Sequence, residues 1–226
     1  MKQLKIRASQ LGRIMTNGRS KSDPLSQTAK TYIQELALED KYGIRKDINS
    51  RYMDKGNLVE DEAIQLASSV LELEFVVKNE EYFSNDFIKG TPDVLGSNFI
   101  LDVKASWTGA TFPWFDEECP NKDYYFQMMA YMWLCDRDKA LLCYCLINTP
   151  EDIVLDEIRR VAWAKKELEP SESTENDVRA QHEFDHIPTD KRVKAYLIER
   201  DEQVIEQIKE KIEHAREYYN EIIEKI

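Results

Sequence analysis

Apolar positions along the chain change period several times, and each change marks an element. Over residues 24–42, Leu25, Ala29, Ile33, Leu36 and Ala37 recur at helical steps and Gly43 supplies a stop, which predicts a helix. A second stripe of Leu58, Ile64, Ala67, Val70 and Leu71 predicts a helix over about 57–71, with Glu60 near its first turn. From residue 73 the chain turns β-branched and aromatic. Runs at 73–84, 87–95 and 99–106, the last two joined through Gly96-Ser97-Asn98, predict a β-meander. A loop at 107–122 rich in Trp, Phe and Pro leads to a helix at 124–134, a strand at 140–148 and a helix at 150–168. The stretch 169–190 is polar, acidic and poor in apolar residues, which predicts a surface excursion. A last strand at 193–199 precedes a helix at 202–225, whose stripe of Val204, Ile205, Ile208, Ile212, Ala215, Tyr219, Ile222 and Ile226 must cover something apolar. There is no internal repeat. This order predicts an α/β fold with a central mixed β-sheet flanked by helices, and 226 residues suit a single domain, 1–226.

Composition narrows the setting. No apolar stretch approaches the roughly 20 residues that span a bilayer, and the N-terminus lacks the apolar core of a secretory signal, so a cytoplasmic protein is expected. The four cysteines, Cys119, Cys135, Cys143 and Cys145, form no CxxC pair and predict reduced, mostly buried thiols. A net charge of −12 argues against a protein that coats nucleic acid non-specifically. Charge is unevenly spread, however: from Met1 to Lys30 the chain carries Lys2, Lys5, Arg7, Arg13, Arg19, Lys21 and Lys30 against a lone Asp23. If DNA binds, this segment should face it.

The chemistry concentrates in Thr91-Pro92-Asp93, followed after eight residues by Asp102-Val103-Lys104. Strand alternation puts Asp102 and Lys104 on one face. A two-residue turn at Ser97-Asn98, pairing Gly96 with Phe99, would set Asp93 opposite Asp102; another turn would shift this by a residue. Two facing carboxylates repel unless a cation lies between them. Mg²⁺, with Mn²⁺ as a substitute, suits hard oxygen ligands while leaving positions for phosphate oxygens. One or two such ions held by Asp93, Asp102 and the Val103 carbonyl would clamp a phosphodiester. Lys104 would stabilise developing charge or orient the attacking water, or, with its pKa lowered by desolvation, transfer a proton.

The flanking residues extend the pattern. Arg7-Ala8-Ser9, then Gly56 to Glu60, then Asp93 with Asp102-Val103-Lys104, then Gln127 ahead of Tyr131, and finally residues 196–202 near the end, together resemble the lambda exonuclease and YqaJ-like recombinase group of the PD-(D/E)XK nuclease superfamily. The resemblance implies that Glu60 assists metal or water binding from its helix, that Asp93 and Asp102 are direct ligands, and that Gln127 contacts the site. It also implies a DNA-facing role for Ser9 and Tyr131, and an arginine, Arg19, that receives the 5′ phosphate of a DNA end; a guanidinium fork suits that phosphate, and Lys21 or Arg13 could serve instead. The activity so implied is 5′-to-3′ digestion of one strand at duplex DNA ends, supplying tails to a single-strand annealing protein, with a ring-shaped trimer allowed. Aromatic residues Trp107, Phe112, Trp114 and Phe115 would stack on bases or pack in a core or interface. The alternatives are a RecB-like or restriction-type endonuclease with the same site, and a catalytically silent DNA-end or recombinase-binding module.

Two further signals are set aside. His182-Glu183-Phe184-Asp185-His186 matches the HExxH zinc-peptidase pattern but lies in the polar stretch ahead of Pro188, so no zinc is expected. Some RecB-like nucleases carry an iron–sulfur cluster on one early cysteine and a late group; no cysteine precedes Cys119, so none is expected here.

Overall fold

The computed structural model of the chain describes residues 3–18, 23–46, 50–74 and 76–226. Its elements are β1 (Ile6–Arg7), α1 (Leu11–Ile14), α2 (Gln27–Tyr42), α3 (Arg51–Val70), β2 (Phe83–Ser84), β3 (Ile88–Gly90), β4 (Val94–Leu95), β5 (Phe99–Ala105), α4 (Lys122–Cys135), β6 (Lys139–Cys145), α5 (Glu151–Ala164), α6 (Glu172–His182), β7 (Val193–Glu199) and α7 (Glu202–Ile223). Strands β4-β5-β6-β7 form one mixed sheet in that order, with β5 and β6 parallel and the outer pairs antiparallel.

Helices cover both faces of this sheet, and the alternation of β5 decides what each face contains. Leu101 and Val103 join Cys143 and Cys145 of β6 and Val59, Ala63, Ile64 and Ala67 of α3 in one core. Ile100 joins Ala140 and Leu142 and the methionines Met128, Met129 and Met132 of α4 in the other. Helix α4 is apolar nearly all round, as befits a helix buried between sheet and α7 rather than lying on the surface. The stripe of α7 buries Ile205, Ile208, Ile212, Ala215 and Tyr219 in its own chain, packed along α2. No helix among the described residues is long and apolar enough to cross a membrane.

Three expectations change. The meander resolves into two sheets: β3 pairs with β1 and β2 in a separate three-stranded sheet, and β4 starts the main one. Thr91-Pro92-Asp93 interrupts the run between them, where Pro92 has no N–H to give a ladder. The 73–84 run contributes only Phe83–Ser84 and an isolated bridge from Lys78 to Val94. Helix α3 starts two turns early, capped by Ser50 whose hydroxyl accepts from the Met53 N–H at 3.3 Å, so Glu60 lies mid-helix and the dipole of a first turn does not account for it. Finally, the polar excursion contains α6, which packs Val178 against Val154 and Ile158 of α5 and is followed by a buried Phe184.

Candidate active site

The turn between β4 and β5 sets the register of the site. Gly96 N–H donates to the Phe99 carbonyl at 2.9 Å, and Val94 pairs with Leu101 and Leu95 with Ile100. One step further along that register Asp93 faces Asp102. Asp93 lies just beyond the ladder, and its carboxylate Oδ2 accepts the Val103 N–H at 2.8 Å instead. On the neighbouring strand Asp102 is fully buried, its Oδ1 accepting from Gln127 Nε2 at 3.2 Å and its Oδ2 lying against the Lys104 ammonium. The same Gln127 nitrogen reaches the Tyr131 hydroxyl at 3.2 Å, so a buried amide ties the acid to α4.

Burial and mutual repulsion act together on this pair. Asp93 is pushed up to about 8 by burial first and by Asp102 second, against the pull of Lys104 and of the Val103 N–H. Asp102 is raised as well, chiefly by burial, with Lys104 opposing. Burial alone would depress Lys104, but Asp102 and Asp93 outweigh it and hold the ammonium above its usual range. In the metal-free protein the two nearby carboxylates thus favour the charged form of Lys104 more than burial penalises it.

Glu60, Asp93, Lys104, Gln127, Ser9 and Trp107 line one open cleft of about 640 Å³. Glu60 points in from α3 and adds to the negative potential at both aspartates. It is paired with Lys78 at 2.9 Å. Hard oxygen donors in a desolvated acid pair fit a divalent cation well. Among the described residues no three His, Cys, Asp or Glu side chains form a closed ligand set, so water and substrate oxygens would complete the coordination, as Mg²⁺ prefers.

A phage-related exonuclease from Haemophilus somnus 129PT has the same fold, with a TM-score of 0.83, 30% identity, and coverage of 99% of this chain and 97% of that one. The chain belongs to the lambda-exonuclease-like family of PD-(D/E)XK nucleases. An alkaline exonuclease (LHK-Exo) from Laribacter hongkongensis shares the fold at a TM-score of 0.66 and 19% identity over 97% of this chain and 90% of its own, and its complex with dAMP matches equally at 18%. No family model and no curated protein matches the chain.

Against the pattern of this exonuclease family, several expected DNA contacts fall elsewhere. Arg13 is spent on Glu35 at 2.9 Å and on the Tyr32 ring at 4.4 Å, away from the cleft lining. Tyr131 is only 4% exposed, its hydroxyl serves Gln127, and it lines a second pocket with Arg7 and Ser9 beside the cleft. Trp114 donates its indole N–H to the Gly109 carbonyl at 2.7 Å and lies outside the cleft, Phe112 is buried, and Phe115 is 95% exposed. Arg19 and Lys21 lie outside the described residues.

Residues that the sequence reading named are joined by others it passed over. The second pocket, of about 450 Å³, shares Ser9 with the cleft and is rimmed by Arg7, Lys89, Thr91 and Tyr82. Gly90 lies at its base, where a Cβ would come within 2.8 Å of the Tyr131 ring. Tyr52 and Tyr124 also line the cleft, and Lys55 lies beneath it. Lys55 had a legible signal: it continues the buried series Val59, Ala63, Ala67 at four-residue steps.

The HExxH match does not form a helical pair of imidazoles. His182 is the last residue of α6, Glu183 already has extended backbone, and His186 is exposed in the following turn. Buried His182 meets the Thr149 hydroxyl at 2.9 Å, while Glu183 pairs with Arg179.

Proposed function

We propose that this chain is a divalent-metal-dependent exonuclease that digests one strand of duplex DNA from its end, 5′ to 3′, and leaves single-stranded tails for an annealing protein in phage-type recombination. The observation that carries the reading is the facing Asp93 and Asp102 pair, raised by burial and beside the Lys104 ammonium, with Asp93 and Lys104 lining an open cleft and Asp102 buried behind them. Asp93, Asp102 and the Val103 carbonyl would hold the ion, Mg²⁺ or Mn²⁺, with Glu60 assisting through water. When bound, such an ion polarises a phosphoryl oxygen and acidifies water.

The chain's own groups do the rest. Lys104, kept charged, donates to a phosphoryl oxygen and stabilises the negative charge that grows in the transition state. Gln127 fixes the rotamer of Asp102 by its hydrogen bond. Glu60 orients the attacking water from the solvent side. Family membership favours end-dependence, and the basic pocket with Arg7, Lys89, Ser9 and Thr91 suits a terminal 5′ phosphate, with Arg19 and Lys21 as further candidates. A ring of three copies around the duplex would make digestion processive.

An end-labelled linear duplex and a covalently closed circle, incubated in Mg²⁺ and then in EDTA, test the reading. The linear DNA should be digested, faster with a 5′ phosphate than with a 5′ hydroxyl, while the circle survives and EDTA stops turnover. Cutting of the circle would favour a restriction-type endonuclease, and binding without turnover would favour a silent DNA-end module.

A further inference from the structure

Helix α3 carries a lysine where its buried stripe calls for an apolar residue. Lys55 is 1% exposed, and an ammonium so deep ordinarily sits against a carboxylate. Among the described residues no carboxylate pairs with it, and burial pushes its pKa down to about 8. Instead its Nζ donates to two backbone carbonyls, Ser106 at 2.7 Å and Trp107 at 3.1 Å. These carbonyls lie where the chain leaves β5, one and two residues past the last pairing with β6 at Ala105 and Cys145. The lysine thus fixes backbone at the end of the strand that bears Asp102 and Lys104.

What that backbone carries is an aromatic ring held on two sides. Trp107 meets Tyr52 edge-on at 4.7 Å and 69°, and meets His182 at 4.9 Å and 80°. His182 from the HExxH match is thereby part of the wall behind Trp107. Tyr52 is 53% exposed, and both Tyr52 and Trp107 line the same cleft as Asp93 and Lys104. The Arg51 guanidinium lies 5.2 Å from the Tyr52 ring and 5.3 Å from that of Trp107, anchored by Glu157. Aromatic faces with a cation beside them, a few residues from the acid pair, match a strand whose bases vary while its phosphates do not.

We propose that Tyr52 and Trp107 form a stacking platform for a nucleobase next to the scissile phosphate, and that Lys55 is the positioning residue that keeps Trp107 in register with Asp102 and Lys104. This deepens the nuclease reading and rests on it. Stacking is indifferent to base identity, which suits an enzyme that moves along any sequence. Lys55 touches no substrate; it acts through the Ser106–Trp107 backbone.

Binding of a duplex end measured by fluorescence anisotropy in EDTA, where no turnover intervenes, tests both halves. Tyr52→Ala should weaken binding by about tenfold or more, the usual size of a lost stack, with an unchanged thermal midpoint because the ring is exposed. Lys55→Met and Trp107→Ala should each weaken it comparably, and the double variant should be no more than about twofold worse than the weaker single, because the two residues act on one feature. In Mg²⁺ the same variants should raise KM more than they lower kcat. If Lys55→Met does not fold, Lys55→Arg, which keeps the charge, takes its place and should bind like the parent. Tyr52→Ala binding as tightly as the parent, or Lys55 and Trp107 losses that multiply independently, would overturn the proposal. Failure of the nuclease reading looks different: the parent binds the duplex end but cuts nothing in Mg²⁺ or Mn²⁺.

Discussion

The β4–β5 hairpin and the segment 182–186 both present acids and bases at spacings that hydrolases use, yet they fold into opposite outcomes. On the hairpin, the two-residue alternation of β5 keeps Asp102 and Lys104 on one face, and the Gly96–Phe99 turn brings Asp93 across from them. In the histidine segment, the three-residue gap works only if a helix continues through it, and α6 ends at His182. One imidazole is buried against Thr149 and the other is exposed in a turn. A spacing has chemical meaning only on an element that runs the full length of the motif.

The sharpest way to break this contrast is at Lys104. Lys104→Met should lower kcat by about 10²–10³-fold, the usual loss when one stabilising donor is removed, with KM little changed. It should also cost about 3–5 kcal/mol in the metal-free protein by leaving Asp102 buried without its cation, unless Asp102 takes up a proton. Asp93→Asn should be equally inactive, and in EDTA it should be more stable than the parent above about pH 8, where the parent's Asp93 becomes a buried charge that nothing fully compensates. Thermal melts beside single-turnover assays read both. A Lys104→Met enzyme with parental kcat would end the assignment.

Next in size is Gln127. Gln127→Leu removes the donor to Asp102 and to Tyr131 while keeping the helix packed, and should lower activity or Mg²⁺ affinity by about 10–100-fold, as loss of a group orienting a ligand does. A Mg²⁺ titration of the rate gives the affinity. Parental affinity and rate would leave Gln127 a satisfied core amide.

Much of this contrast could be read before any coordinates. Strand β7 and the start of α7 fall where the sequence pattern and the apolar stripe predict them, because those signals are local. The facing of Asp93 and Asp102 was one of the registers that the turn residues allowed, and the Gly96–Phe99 pairing selects it. What stayed hidden depends on distant partners. The split into two sheets needed β1 and β3 to meet, Glu60 and Lys78 pair across 18 residues, and the charge state of Lys104 depends on two carboxylates whose distances no pattern encodes.

The acid pair also makes a pH prediction that the histidine segment does not. In metal-free protein Asp93 keeps its proton up to about pH 8, whereas in the unfolded chain it ionises near the ordinary carboxylate value. Between those values the folded state binds more protons, so stability falls as pH rises, by up to about 1.4 kcal/mol per pH unit for each retained proton. Lys55 works the other way only above about 8, because there the unfolded chain holds the extra proton. In EDTA the thermal midpoint should therefore drop between pH 7 and 8, and Mg²⁺ should raise it more at pH 8 than at pH 7 because protons compete with the ion. A midpoint that rises over this window, or a Mg²⁺ shift independent of pH, would sink the idea that burial strains these carboxylates.

The smallest effect belongs to the histidine segment, and its smallness is the test. His186 is exposed, and Glu183 is engaged with Arg179 at the surface, so His186→Ala and Glu183→Ala should change stability by no more than about 0.5 kcal/mol and leave DNA hydrolysis within twofold. His182→Ala should behave differently from its partner in the motif. It removes a buried ring from behind Trp107 and leaves the Thr149 hydroxyl without its imidazole, at a cost of about 1–3 kcal/mol. If the segment were a zinc site, the two histidines would fail together and added Zn²⁺ would stabilise the parent but neither variant. A large loss at His182 beside none at His186 fits only a wall residue that happens to precede an exposed turn.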